Sequence, residues 1–369
     1  MNGSITLHEV TLGELRAGEP TRPWRDPHGF GRILEAKRAI WLSCPLGRDD
    51  RAVVRVLAVA DDEIVGKEEM LPGELIADGE PIQTDWGSGM FVPETHRGRG
   101  IGRMLAQHRM ALREVCCSCG VSSMLFPIYR KLGWHDLSMK RFIMLRSAKP
   151  VARRFCGDGA LASVATTAGD LALAAHGGLL AVWMKLKTSG LMIERLDAAP
   201  HEWDAHFQTQ QPGVRCHRSA AWLNWLLTHR LTDDPRAAAD LWVIRDARGE
   251  QLGYVLTKTR YRGIASHRGF RDVLLGSLQD WMIFQPERLS FHAMLLLAAR
   301  MLSRSGVDAV EVCLPPDADN ERLRAMGFMR VGSQHTVFSA TPGSRLALPA
   351  LSRPASWFIR PGDGDNFFT

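Results

Sequence analysis

The run Val92-Pro93-Glu94-Thr95-His96-Arg97-Gly98-Arg99-Gly100-Ile101-Gly102-Arg103 places three glycines and three arginines within the seven residues 97–103. Glycine allows the tight turns that aim successive backbone N–H groups at one point. A helix starting near Ile101 would add the positive end of its dipole, so an anionic diphosphate is favoured at this loop. The side chains of Arg97, Arg99 and Arg103 can add charge-assisted contacts to phosphate. Other phosphate loops fit less well. A nucleotide P-loop ends in Gly-Lys-Ser/Thr, which this run lacks, and a dinucleotide fingerprint follows the first strand of a βαβ unit, with an acidic residue downstream. Here the preceding strand is at least the third of an antiparallel series.

A second group with reactive side chains is Cys116, Cys117 and Cys119. It has no second CxxC or HxxxH partner, and no histidine stands at a spacing that would activate a thiol, so structural thiols are expected rather than a metal site or an acyl-cysteine. The seven cysteines form no regular framework and are an odd number, which fits a reducing cytoplasm.

The loop needs a strand before it and a helix after it. Ala52–Ala60 and Ile64–Leu71 read as a hairpin turned by Asp61-Asp62, Ile82–Val92 as a further strand ending at Pro93, and Met104–Val115 as a helix. Val121–Phe126 reads as a buried strand, Ile128–Leu132 as a short helix and Phe142–Leu145 as the last strand of this half. Ser147–Asp158 reads as a linker. Beyond it, Leu241–Ile244 and Leu252–Leu256 flank a turn, Phe291–Leu302 is a helix, Ala309–Leu314 a strand, Glu321–Met326 a short helix and Met329–Phe338 a final strand. The tail from Thr341 is rich in Pro, Gly and Ser, although Trp357 and Phe367-Phe368 suggest docking.

Length and composition set the outer limits. The 369 residues predict two domains, and 45% hydrophobic with 23% charged residues describes a folded globular chain. The net charge of +6 is compatible with anionic ligands and specifies none, and the basic residues lack the aromatic interleaving of a nucleic-acid binder. The N-terminus has no signal-peptide pattern. Ala160–Met184 is apolar, but Asp170 and His176 interrupt it, so a buried or interfacial helix is expected and no membrane span.

The loop, together with the helix and the Tyr129–Trp134 segment after it, resembles the GCN5-related N-acetyltransferase (GNAT) family. The family signature Arg/Gln-x-x-Gly-x-Gly/Ala is matched by Arg97, Gly100 and Gly102, and its later Tyr-x-x-x-Gly-aromatic pattern by Tyr129, Gly133 and Trp134. The resemblance covers residues 50–146, and more weakly 240–340, where Leu323–Phe328 repeats the short-helix, Gly, aromatic ending. It implies an α/β (α+β) chain of two lobes, each a mixed, mostly antiparallel twisted sheet flanked by helices. The corresponding division is 1–148 as the acyl-CoA-binding catalytic domain, 149–239 as a linker and helical segment, and 240–369 as a degenerate second lobe with its tail.

The same resemblance implies acetyl-CoA, or another acyl-CoA, lying where two strands splay apart, with no metal. Backbone groups of Met90–Val92 would hold the pantetheine arm, an N–H near Phe91 would polarise the carbonyl, and the amides from His96 through Gly98, Gly100, Ile101, Gly102 and Arg103 would take the pyrophosphate. Direct transfer to an amine requires two proton movements. Tyr129 is implied as the acid for the leaving thiolate. For the base the strands offer Asp85, favoured here, and Glu68 or Glu69. The acceptor is expected to be a small-molecule amine, such as an amino sugar. Trp24 and Phe30 are expected on acceptor-side helices.

The second half lacks the glycine pair, reading Gln285-Pro286-Glu287-Arg288-Leu289-Ser290 before its helix, so no CoA site is expected there. Arg218–Trp225 resembles a feature of bacterial two-lobed acetyltransferase-like proteins, and Trp222 and Trp225 are candidates for an acceptor cleft or for a helix core. An aminoacyl-transferase-like enzyme of cell-wall assembly and a non-catalytic CoA-binding module are the competing readings. The oligomeric state is open between monomer and homodimer.

Overall fold

The computed structural model describes residues 4–18, 23–208, 213–263, 272–341, 344, 357–364 and 367–368. Its strands are β1 Thr6–Thr11, β2 Val53–Ala60, β3 Glu63–Ala77, β4 Glu80–Phe91, β5 Val115–Cys119, β6 His135–Asp136, β7 Met139–Leu145 and β8 Leu191–Leu196. They continue with β9 Val214–Cys216, β10 Ala238–Asp246, β11 Gln251–Arg262, β12 Val273–Ile283, β13 Ala309–Leu314, β14 Met329–Gln334, β15 Thr336–Ala340 and β16 Trp357–Phe358. The helices are α1 Leu12–Ala17, α2 Glu35–Ser43, α3 Ile101–Leu112, α4 Phe126–Lys131, α5 Lys149–Cys156, α6 Ala160–Lys187, α7 Asp204–Gln208, α8 Ala220–Thr228, α9 Phe291–Arg304 and α10 Asn320–Ala325.

The chain forms two compact units, each gathered from separate runs of sequence: 1–139 with 200–231 and 334–369, and 140–199 with 232–333. In the first, the sheet order is β1-β2-β3-β4-β5-β15-β6, and β9 pairs with the far end of β3 and with β16. Asp61 and Asp62 turn the β2–β3 hairpin with φ of 51° and 57°, the left-handed pair a type I′ turn requires. Gly66 of β3 lies under the start of α3: a Cβ there would come within 2.9 Å of Ile101 Cγ2, so a residue without a side chain brings the helix N-terminus close to the sheet. Ile101, Leu105 and Arg109, four residues apart, face the sheet from α3.

The second unit is a sheet in the order β14-β7-β13-β12-β11-β10-β8 with α9 packed on it. Its core joins Met294, Leu295 and Leu302 of α9 to Phe142, Val255, Leu278 and Val312 of the strands.

Several expectations change here. Phe142–Leu145 is a strand, but it pairs antiparallel with β13 of the second unit rather than closing the first sheet. The final strand read at Met329–Phe338 divides at His335: β14 stays in the second sheet, whereas β15 pairs antiparallel with β5 of the first. Backbone ladders carry no sequence label, and alternation marks a strand without naming its partner. The buried strand expected at Val121–Phe126 lies earlier, at β5, where all five residues are buried, and Val121–Leu125 is a turn entering α4. Ser147–Asp158 contains α5, whose N-terminal amide at Ala148 donates to Asp170 of α6 at 2.6 Å.

Trp24 and Phe30 lie outside helices, because Asp26 accepts the N–H groups of Phe30 and Gly31 at 2.7 and 2.8 Å and holds a turn. Of α6, expected to be buried or interfacial, Ala162 is buried, Leu161, Val164, Leu171, Val182 and Leu186 are exposed, and the side chain of His176 lies outside the described residues. Among the described residues no helix is long and apolar enough to cross a membrane. Trp222 and Trp225 are core residues of the first unit, their rings tilted against each other with centroids 4.7 Å apart, and the Trp225 indole N–H reaches Ile40 O and Ser43 Oγ on α2. Trp357, Phe367 and Phe368 are buried in the same unit.

Candidate active site

Register explains why a cavity opens in the first sheet. β4 and β5 run parallel and pair from Thr84↔Val115 to Gly87↔Ser118, and there the pairing ends while β4 continues to Phe91. On its other side β4 pairs Gly87 with Met70 and Gly89 with Glu69, which leaves Ser88 as an extra residue, a bulge that bends the strand away. The space between the parted strands is a cavity of about 210 Å³. Gly87–Met90, Ser118–Ser122, Leu125, Glu68 and Tyr129 line it.

The buried charge behind this cavity centres on Arg109, which is wholly inaccessible. Its guanidinium donates to Asp85 Oδ1 from Nε at 2.6 Å, to Ser118 Oγ at 2.8 Å, to Glu68 Oε1 at 3.3 Å and to the Tyr129 hydroxyl at 3.4 Å. It also donates to Cys117 O. Gly87 makes room for it, since a Cβ there would lie 2.5 Å from Arg109 Nη1 and 2.6 Å from Ser118 Oγ. Arg109 escaped the sequence reading. Its signal was there, as the position after Ile101 and Leu105 on an apolar helix stripe, where a charge must find buried partners.

Two carboxylates share that guanidinium unequally. Asp85 takes the short contacts and does not line the cavity. Burial pushes its pKa up, against the pull of Arg109. Glu68 makes one long contact to Arg109 through Oε1, accepts the Tyr129 hydroxyl on the same oxygen at 3.3 Å, and leaves Oε2 buried with no partner among the described residues. Burial raises Glu68 to about 7, with Arg109 opposing and the Asp85 charge adding to the rise. A carboxyl poised there exchanges protons near neutrality. Burial, then the Glu68 charge, push the Tyr129 phenol well above its usual range, so it is held as a proton donor.

Glu69, next along β3, points to the opposite face, as strand alternation requires. It is paired with Lys37 at 2.6 Å, Arg55 at 2.6 Å and Lys67 at 3.0 Å. Burial alone would raise it, but the three cations hold it at about 2. Glu69 is therefore a permanent anion in a structural network.

The glycine loop leads away from the same strand. A single 3₁₀ turn at Glu94–His96 precedes it, Gly98 and Gly100 have φ of 81° and 80°, and α3 starts at Ile101. The first helical amide with a carbonyl partner is Met104, donating to Gly100 O at 3.0 Å, so the preceding amides are the four that every helix leaves for a cap or an anion. Among the described residues no side chain caps this N-terminus. Arg99 and Arg103 are exposed, whereas Arg97 turns back to Val92 O and Glu94. Phe91, half exposed, packs edge-on against Phe30 at 5.1 Å and ends β4 beyond the cavity wall, with Val92 following it.

The thiols give no nucleophile. Cys116, Cys117 and Cys119 are buried on β5, and burial pushes Cys117 up to about 12, the reverse of what thiolate chemistry needs. Among the described residues, His28, Glu63 and His96 have ligand atoms within 4.8 Å of one another. The protein's own cations engage two of them, Arg25 on Glu63 at 3.3 Å and Arg99 on His96 Nδ1 at 3.0 Å.

Residues 45–136 match the family model for the acetyltransferase (GNAT) domain. No curated protein matches the chain. In structure it is similar to the GCN5-related N-acetyltransferase from Anabaena variabilis ATCC 29413, at 12% identity and TM-score 0.52, over 91% of this chain and 73% of that one. It is similar to a conserved protein of unknown function from Enterococcus faecalis V583, a probable N-acyltransferase, at 12% identity and TM-score 0.50, with 91% and 73% covered. Saccharomyces cerevisiae N-myristoyltransferase with bound myristoyl-CoA aligns at 10% identity and TM-score 0.52 over 84% of this chain and 71% of that one. At these identities the likeness is one of fold, and the fold is the two-lobed one expected from the sequence.

Proposed function

We propose that this chain, which carries a GNAT acyltransferase domain at residues 45–136, is an acyl-CoA-dependent N-acyltransferase that acylates a small amine by direct transfer. The observation that carries the reading is the Glu68–Tyr129 contact at the wall of the cavity where β4 and β5 part. Acyl-CoA supplies the activated thioester. The uncapped start of α3 and the amides of Gly98–Arg103 suit its pyrophosphate, with Arg99 and Arg103 adjacent, and the bulged edge of β4 suits the pantetheine arm.

Glu68, near neutrality in its ionisation, takes the proton that an incoming ammonium must lose before it can attack. Tyr129, kept protonated, donates to the departing sulfur. Asp85 serves as the counter-ion that holds Arg109, and Arg109 in turn places both Glu68 and Tyr129. A cavity of about 210 Å³ suits a short acyl group and the amine-bearing end of an amino sugar or similar metabolite rather than a long chain.

Calorimetric titration with acetyl-CoA tests the reading, comparing wild type with a Gly100→Asp, Gly102→Asp double variant, followed by an amine screen for thiol release. Binding abolished by the double variant, with turnover lost in Glu68→Gln, is the expected result. Binding that survives with no turnover and no effect at Glu68 or Tyr129 would make the domain a CoA-binding module, and no binding by folded wild type would overturn the acyl-CoA reading.

A further inference from the structure

The short helix, glycine and aromatic ending of the second half has a place in the structure that acyl transfer does not use. Gly327, at φ 87°, turns the chain from α10 into β14, and Phe328 drops into the core of the second unit. Between this turn, the end of β7 and the middle of α6 lies a cavity of about 510 Å³. Leu173 and Met329 contribute apolar walls, Phe328 closes the space from the core side, and Arg146, Arg324 and Arg330 line the same space.

Among the described residues the lining contains three arginines and no carboxylate. None of the three arginines is in an ion pair with a carboxylate among the described residues, whereas Arg141, Arg153, Arg245, Arg260 and Arg288 of the same unit all are. Three arginines from three separate segments line one cavity without a counter-ion among the described residues, which suits an anion with several acceptor oxygens. The apolar remainder of the cavity sets a second requirement. An inorganic ion would leave those walls in contact with water, and a ligand with an apolar portion would cover them.

We propose that this cavity binds an anionic amphiphile, with a phosphate or carboxylate head against Arg146, Arg324 and Arg330 and a short apolar chain along Leu173 and Met329. The head-group chemistry is common to a phospholipid and to a soluble organic phosphate.

The test is calorimetric titration of the full chain with hexyl phosphate, dihexanoyl phosphatidic acid below its micellar concentration, hexanol and inorganic phosphate. Hexyl phosphate or phosphatidic acid should bind, and hexanol and inorganic phosphate should bind at least about tenfold more weakly, because each supplies one of the two contacts. Arg324→Glu with Arg330→Glu, both exposed positions, should weaken binding by about tenfold or more while the melting temperature stays unchanged. Arg146→Gln, on a different segment, should give an independent loss. Tighter binding of phosphatidic acid than of hexyl phosphate assigns a lipid source, and the reverse order a soluble phosphate ester. Inorganic phosphate binding as tightly as hexyl phosphate, or affinities indifferent to all three arginines, would overturn the proposal.

Discussion

Glu68 Oε1 accepts the Tyr129 hydroxyl at 3.3 Å, and both side chains are 1% exposed, so the acid and the base of the proposed transfer share one buried hydrogen bond. Changing either group therefore alters the protonation of the other, which gives the pH dependence a definite form.

Turnover should rise with pH through about 7 as Glu68 loses its proton. Glu68→Gln should lower kcat by about 10²–10⁴-fold and flatten that rise. Initial rates of thiol release across the neutral range check both, and a Gln variant that keeps the wild-type profile would remove Glu68 from the mechanism.

The same substitution should stabilise the fold above neutrality. Glu68 has a folded pKa raised from 4.5, so its contribution is fully present below 4.5 and is lost as pH rises through about 7. Above that pH the native state holds a buried, poorly compensated anion. Glu68→Gln removes it and should gain on the order of 1–3 kcal/mol at pH ~8. Urea unfolding of the two proteins at acidic and alkaline pH measures the difference.

Tyr129→Phe should lower the chemical step by about 10²-fold with acyl-CoA affinity retained, since a hydroxyl placed on the leaving sulfur acts in the transition state. Single-turnover kinetics beside calorimetry separate the two, and parallel loss of affinity would assign Tyr129 to packing.

Glu69 should act in the opposite sense to Glu68. Its folded pKa is held down at about 2, so its stabilisation is present at neutral pH and lost as pH falls from about 4.5 toward 2. Glu69→Ala strands Arg55, which is 1% exposed, and should cost about 3–5 kcal/mol at neutral pH. Denaturant midpoints at pH ~7 and ~3 should differ far less in the variant than in wild type.

Gly87→Ala places a methyl 2.5 Å from Arg109 Nη1 and should cost about 1–3 kcal/mol through the displaced guanidinium. Because Arg109 holds both Glu68 and Tyr129, the pH midpoint of turnover should move as well. A shift in melting temperature without a shift in that midpoint would separate Gly87 from the site.

Much of this protein was determined by sequence alone. Asp61-Asp62 specifies a left-handed hairpin turn, the spacing of Gly98, Gly100 and Gly102 after a strand specifies an amide cradle at a helix start, and Tyr129 stands at a fixed distance from Gly133 and Trp134. These are local facts, set by backbone sterics within a few residues.

Tertiary structure decided the rest. Asp85, Glu68 and Glu69 are alike as carboxylates on strands, and only packing gave Asp85 the short contacts of Arg109, left Glu68 Oε2 without a partner among the described residues and surrounded Glu69 with cations. The partners of β7 and β15 are likewise a matter of long-range pairing: β15 lies more than 200 residues from β5 in sequence, and its Val337 and Phe338 are fully buried in the first unit. Charge, burial and strand pairing at such separations depend on what the folded chain brings alongside, which local periodicity does not record.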